Sequence, residues 1–453
     1  MKGTHDLRHG VLWKQILLFA LPIAATSMLQ QLFNSADVAV VGQFSAQKEL
    51  ALAAVGSTSS IVNLYITIFT GLAVGANVVI ARLIGAEEEG EVRKAVHTSL
   101  VVAVLCGAVL MVVGECLAGP LLRWMDTPEN IIHLARQYLQ IYLLGAIFQM
   151  VYNFEAAILR ANGDTRRPLL CLLLSGGVNV VLNLVFVLLF HMDVAGVALA
   201  TVIADGVGAG LLWHYLRRET GPIRVEPALL RLDRKLLRGI LYIGIPAAIQ
   251  GMMFNIANVI IQSGINRLGS DVVAASTIGV TAEIFVYYLL NSFGQASMTF
   301  NGQNYGAGNL RRCRSATRWC LLLGGILSEA FALLLVVFGL PFAGIYTSDA
   351  GIALLALTRM RWVLPFQLFN MVIEVMSGTL RGLGYSLSTI LCAVFVCGLV
   401  FCGWPLSFMP TFQGLLLVYP ASWLAAGAAV TVAYWALKRK LLTEKPPQAP
   451  VVP

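Results

Sequence analysis

Of 453 residues, 58% are hydrophobic and only 12% are charged, whereas soluble domains carry about 25% charged residues. The expected class is an all-α polytopic membrane protein. Lys and Arg outnumber Asp and Glu by 31 to 23, yet they are spread over the connecting segments, so no nucleic-acid partner is expected.

Apolar windows of about 20 or more residues, the length a bilayer demands, fall at 13–42, 52–80, 95–118, 135–159, 168–190, 194–216, 237–266, 272–301, 314–339, 357–380, 386–408 and 412–437. They predict twelve transmembrane helices. The basic start and the small residues Ala24 and Ala25 imitate a secretory signal, but the apolar run continues past Asp37 to Val41, too long for a cleaved segment. Within the first span, Pro22 removes a backbone donor and is the candidate hinge. Gln30, Gln31, Asn34 and Asp37 follow as a polar stripe. A charged carboxylate near mid-bilayer costs roughly 2.5–3.5 kcal/mol on insertion scales. Asp37 is therefore expected to face protein or a water-filled cavity.

Asn179 and Asn183 stand four apart in the fifth span, so both amides leave one helix face. Thr201 lies in the sixth span, and Asp205 one turn beyond it. The seventh span mirrors the first: Asn255, Asn258 and Gln262 recur at helical spacing, with Met253 beside them as Met28 lies beside Gln30. Flexible thioethers suit a site that accepts many apolar shapes; ordinary packing is the competing reading. In the tenth span, Asn370 and Glu374 are one turn apart, and Glu374 either binds a cationic substrate or pairs with a neighbouring helix. Glu155, five residues before Arg160, is expected to reach the interface. Glu283 and Glu329 interrupt apolar runs without an assigned role.

The Gly-rich run 304–309 fits a turn and helix C-cap better than a phosphate loop. No GxxxxGKS/T loop occurs, so nucleotide-driven transport would need a partner, and no cofactor is expected. All eight cysteines except Cys313 lie in or at the ends of apolar spans, so no disulfide is expected. No histidine accompanies them at metal-ligand spacing, which implies no metal site.

Basic residues set the orientation. With both termini on one side, that side holds 25 of the 31 Lys and Arg; the other has only Lys48, Arg123, Arg136, Arg267, Arg359 and Arg361. Both termini are expected in the cytoplasm, in a multi-pass plasma (inner) membrane protein in contact with lipid. The chain also repeats. Leu159-Arg160-Ala161-Asn162-Gly163 returns as Leu380-Arg381-Gly382-Leu383-Gly384, and Arg82-Leu83-Ile84-Gly85 returns at the same offset as Gln303-Asn304-Tyr305-Gly306. Pro22 and Asn34 find counterparts in Pro246 and Asn258. Six spans per half imply a parallel repeat. The expected organisation is a six-helix lobe over 1–216, a basic linker over 217–238, a second six-helix lobe over 239–440 and a tail over 441–453, with a central cleft between the lobes.

These residues, in this order and duplicated, carry a resemblance. Pro22 with Asp37, Val40-Val41-Gly42, Gly71 and Gly75 followed by Ala81-Arg82 and Gly85 form one set. Leu159-Arg160 with Gly163-Asp164-Thr165, Gly196 with Thr201, and Gly302-Gln303-Asn304 with Gly306 and Gly308 complete it. Together they resemble a MATE (multidrug and toxic compound extrusion) transporter of bacterial type across all twelve spans. The resemblance implies export of bulky, often cationic compounds against inward H⁺ or Na⁺, by rocking of the two lobes. It also implies a coupling site in the first lobe at Asp37, Asn179, Asn183 and Thr201. Many relatives carry a second aspartate where this chain has Asn183, a departure that weakens the case for Na⁺ more than for H⁺; Asp205 is the candidate replacement. Met28, Gln30, Gln31, Asn34, Met253, Asn255, Asn258, Gln262, Asn370 and Glu374 are the expected cavity lining.

The opposing reading makes the two asparagines simple interhelical glue, worth about 0.6 kcal/mol each. Against it, Ile261 is the repeat-mate of Asp37, the eleventh span has no Asp, Glu, Asn or Gln, and the twelfth only Gln413. On this reading the polar cluster is confined to the first lobe. A lipid-linked precursor flippase of the same superfamily is the alternative; it would need basic residues in mid-helix to hold a pyrophosphate, and none is read there. An intramembrane enzyme would need a metal set or a nucleophile–base pair, which the six histidines do not supply. The expected form is a monomer with a small organic cation as substrate.

Overall fold

The computed structural model describes residues 6–45, 48–125, 127–386 and 411–443. The predicted eleventh span, with Cys392, Cys397 and Cys402, lies outside them. Among the described residues no strand occurs. The helices are α1 (Leu12–Phe44), α2 (Lys48–Gly85), α3 (Glu89–Trp124), α4 (Glu129–Leu144), α5 (Ala146–Ala161), α6 (Arg166–Leu184) and α7 (Asp193–Arg217). They continue as α8 (Arg234–Asn266), α9 (Ser270–Gly306), α10 (Leu310–Val337), α11 (Gly339–Gly344), α12 (Ala350–Val363), α13 (Gln367–Gly382), α14 (Phe412–Leu416) and α15 (Val418–Thr443). Ten are long and apolar enough to cross a membrane, counting α12–α13 and α14–α15 as one span each, and α4 with α5 makes an eleventh.

The fourth span departs from its prediction. The window 135–159 reads as one helix, but α4 and α5 meet at Gly145 with a 45° bend. A Cβ at Gly145 would press to 3.0 Å against Val202 and 3.1 Å against the Tyr142 carbonyl. The break reorients Gln149 and the residues after it.

By contacts the chain divides into two units. One holds 25–84 and 88–244; the other holds 6–24, 85–87 and the residues from 245 onward. In the first, the linker after α7 is docked and not loose. Ile223 and Val225 are buried, the Glu226 amide donates to His97 Nε2 at 3.0 Å, and the Asp233 amide donates to Thr98 Oγ1 at 3.2 Å. His97 Nδ1 faces the Arg93 carbonyl at 2.7 Å, so this imidazole is neutral, with its proton on Nδ1. Lipid-facing positions are plain on α3, where Val104, Leu105, Val109, Val112 and Leu117 are all exposed.

In the second unit, the segment before α1 is strapped down by Arg312. Its guanidinium donates to the carbonyls of Leu7, His9 and Gly10 and to Gln15 Oε1. Partial burial opposes ionisation of Asp6 but is outweighed by hydrogen bonds from His9 and Arg8, which bring its carboxyl down to about 2.

The repeat is structural as well as sequential. Gly163 and Gly384 sit at φ +88° and +87°, where a side chain would be strained. Asp164 N–H donates back to Leu159 O at 2.9 Å and Tyr385 N–H to Leu380 O at 2.8 Å. Both halves thus close a helix with the same Schellman turn. Asp164 then accepts from the amides of Arg166 and Arg167 and starts α6.

Small residues allow a close helix approach in the second unit. A Cβ at Gly378 on α13 would stand 2.3 Å from the Gly294 carbonyl of α9, and one at Gly294 would meet Glu374 O at 3.0 Å. Around them Ser297, Asn301, Thr317 and Thr379 exchange hydrogen bonds between α9, α10 and α13. Gly378→Ala is expected to destabilise the protein by about 1–3 kcal/mol, read as a lowered unfolding midpoint in detergent with the helix content of the folded state unchanged.

A candidate cation-coupling site

The first unit closes a hydrogen-bonded ring around Asp37. Asp37 is 8% exposed, Asn179 4% and Asn183 0%. Asn183 Nδ2 donates to Asp37 Oδ1 at 2.5 Å and to Asn179 Oδ1 at 3.2 Å. Asn179 Nδ2 donates to Thr201 Oγ1 at 3.3 Å, and Thr201 Oγ1 lies 3.3 Å from Asp37 Oδ2 and 3.0 Å from Val197 O. Three helices supply the ring: α1 the acid, α6 both amides through their spacing of four, and α7 the hydroxyl. Immediately after Asn183, α6 opens into a π-helical turn over Val185–Leu189, a device that recurs at functional sites. Val40, Val41, Tyr138, Val187, Val194, Val197 and Ala198 form an apolar packing cluster of the same three helices and α4.

Asn183 supplies a donor to Asp37 Oδ1, and the single hydroxyl hydrogen of Thr201 reaches either Asp37 Oδ2 or the Val197 carbonyl. Asn183 Oδ1 is buried without a hydrogen-bond partner. Asp205 stands outside the ring, where it accepts from Gln149. Gln149 also donates to the Tyr142 hydroxyl at 2.7 Å, and Tyr142 stacks on Tyr138. Asp205 and Asp37 remain close enough to interact electrostatically. Gln149, Tyr138 and Tyr142 are absent from the sequence-based candidates, because their partners Asp205 and Asp37 lie on other helices.

Comparison with known proteins places this geometry. The sequence model of MatE matches residues 22–185 and 246–409, one stretch in each half. The chain belongs to the MatE family. Its fold class is accordingly an all-α membrane transporter of two six-helix lobes, and it is not an enzyme. It is 27% identical over 390 residues, 84% of each chain, to the probable multidrug resistance protein YoeA of Bacillus subtilis. It is 24% identical over 440 residues, 95% of this chain and 96% of the other, to the FAD transporter of Shewanella oneidensis. Among solved structures, a MOP superfamily transporter from Pyrococcus furiosus superposes with a TM-score of 0.88 at 22% identity, over 98% of this chain and 99% of the other.

Within this MatE protein the remaining predicted residues fall in both units. On α1 in the first unit, Gln30 and Asn34 are exposed while Met28 and Gln31 are half-buried. Pro22 lies inside α1, which runs through it unbroken. On α8 in the second unit, Asn258 is exposed, Met253 and Asn255 are half-buried, and Gln262 donates to Asn266 at 2.9 Å. Asn370 donates to Gln367 at 3.1 Å. Glu374 accepts from Asn291 at 2.9 Å, so it has a neighbouring-helix partner.

Three sequence readings need correction. Polar chemistry is not confined to the first half: Asn291 and Gln295 join Glu374, and Arg381 donates to Gln250 at 2.6 Å, while Ile261 keeps the apolar character read for it. The eleventh and twelfth spans misled because these groups sit on α8, α9 and α13. Second, a basic residue does lie inside a span. Arg359 is fully buried, with Nε 2.6 Å and Nη2 3.0 Å from the two oxygens of Glu283, Nη1 2.6 Å from Ser276 Oγ, and the Tyr419 ring 5.1 Å away. Third, Glu155 does not reach the interface. It is 0% exposed and neither carboxyl oxygen has a partner.

Proposed function

We propose that this MatE protein is a secondary antiporter of the plasma membrane, with both termini in the cytoplasm, that exports lipophilic organic cations by alternating access in exchange for inward H⁺. The multidrug resistance name of YoeA supports the direction and breadth of cargo. The name of the Shewanella relative makes a flavin the competitor to test. The observation that carries the proton reading is the donor pattern of the ring. A proton placed on Asp37 Oδ2 turns that oxygen into a donor to Thr201 Oγ1, and the threonine hydroxyl has the Val197 carbonyl at 3.0 Å to receive its own hydrogen. Proton uptake needs one hydroxyl to rotate, while Asn183 keeps its bond to Oδ1. Neutralising Asp37 removes the penalty of a buried charge and frees α1, with Pro22 as the place to bend.

A pyrophosphate-lipid flippase is less well served. Arg359 is committed to Glu283 and offers no free charge to a phosphate. The monomer is the working form, and lipid its only standing partner.

The test uses purified full-length protein in vesicles loaded with a cationic dye, driven separately by a pH gradient and a sodium gradient. Efflux is expected with the pH gradient alone and with no response to sodium. If one proton enters per monovalent cation leaving, the membrane potential, about 2.3 kcal/mol per charge per 100 mV, cancels. The pH term of about 1.4 kcal/mol per unit then supports roughly tenfold accumulation per unit. Clamping the potential with valinomycin should leave the steady-state dye gradient unchanged; a strong dependence lost in Asp205→Asn would instead assign a second proton to Asp205.

A further inference from the structure

Among the described residues of the first unit, Glu155 is the one carboxyl at 0% exposure, and the site above does not use it. Its side chain is 0% exposed, and both oxygens are buried without a hydrogen-bond partner. An ionised carboxylate in that position would leave a charge with neither water nor donors, a cost of several kcal/mol; the group rests as the neutral acid. A permanently neutral side chain of that size is served better by Gln or Leu, so an acid here is a group that can give up a proton. Its place on α5 supplies a reason. Gln149, Tyr152 and Glu155 recur every three residues on one side of the helix, and Glu155 is roughly 9 Å along the axis from Gln149. Gln149 is the partner of Asp205. At the far end, Arg160 lies in the last turn of α5 and Asp164 caps α6, the end that the proposed orientation puts in the cytoplasm.

The surroundings contain no competing charge. Tyr152 on the same helix and Cys171 on α6 are the titratable groups within electrostatic reach of Glu155. Tyr152 hydroxyl donates to the Pro168 carbonyl at 3.2 Å. No charged side chain acts on Glu155 from α3, α4, α6 or α7 among the described residues. From α2, the buried Asn77 is spent on the Ala157 carbonyl at 3.1 Å.

We propose that Glu155 is a second proton-carrying site in series with Asp37, taking up the proton that leaves the Asp37–Asp205 region and releasing it to water at the Arg160–Asp164 end of α5. The step balances as one proton in and one out, with the carboxyl ionised only between release and reloading. This rests on the proton-antiport reading of Asp37.

The test uses the full-length protein in vesicles, with Glu155→Gln and Glu155→Asp. Gln keeps shape and neutrality, so the variant is expected to fold, bind dye with an unchanged Kd and unfold at the wild-type temperature. Its pH-driven efflux is expected to be about tenfold slower or worse, in line with the loss of a positioned proton carrier, and Asp should restore part of the rate. Infrared difference spectra on a pH jump supply a readout a structural role would not move. With the glutamate carboxyls isotopically labelled, the wild type is expected to lose a protonated-carboxyl band that Asp37→Asn retains and Glu155→Gln lacks. Wild-type efflux rates in Glu155→Gln would overturn the proposal; should that variant fail to fold, a labelled band in the wild type that ignores the jump would overturn it as well. Efflux driven by sodium alone in the unmodified protein would defeat the underlying antiport reading instead, and that result precedes any variant.

Discussion

Asp37→Asn is expected to reduce gradient-driven efflux to the level of protein-free vesicles while leaving folding and dye binding intact. The ring explains why the two effects separate. An asparagine at this position still offers an oxygen to Asn183, and its amide donates to Thr201 in place of the proton that a neutral Asp37 would carry. The variant therefore imitates the protonated state and cannot leave it. Removing the α6 pair, Asn179→Ala with Asn183→Ala, would take away about 1–2 kcal/mol of interhelical bonding but abolish the arrangement that fixes which oxygen titrates. Vesicle efflux assayed beside dye binding on the same preparation decides the matter: normal efflux by Asp37→Asn would remove Asp37 from the coupling step.

Arg359→Met should be among the most destabilising single changes in the second unit. It leaves Glu283 inside the helices without the guanidinium that takes both its oxygens, and breaking a buried pair on one side costs about 3–5 kcal/mol. Gly279 shows how closely the site is built, since a Cβ there would stand 2.6 Å from Arg359 Cδ. The double change Glu283→Gln with Arg359→Met removes both charges and is expected to recover most of the loss. Unfolding midpoints of the single and double variants in detergent test this; equal destabilisation by both would mean that packing of the long side chain, and not its charge, is what matters.

The helices were legible because bilayer thickness imposes a length that composition alone reveals, and every window within the described residues meets a helix. The Asp37 ring was legible for a different reason: two amides four apart must share a face, and one carboxylate in an apolar span has to be answered by something. Features made by residues far apart in sequence were not. Arg359 and Glu283 are separated by 76 positions, and each alone looks like a charge near the end of a span or an unexplained interruption. Glu155 was misjudged because its nearness to Arg160 suggested a side chain that reaches the interface, whereas α5 packs against α3 and α7 and the carboxyl is fully buried. The bend at Gly145 was also missed, because a single glycine in an apolar run does not distinguish a break from a continuous span.

The docked linker has a consequence for biogenesis. Its hydrogen bonds run backward along the chain, from the amides of Glu226 and Asp233 to His97 and Thr98. Every partner it uses has left the ribosome before it does. The Schellman turn at Gly163 is equally local, closed by residues within six positions. The basic side of α3 and the linker after α7 can therefore be capped while the second half is still being translated, whereas the start of α1, held by Arg312, has to wait for that half.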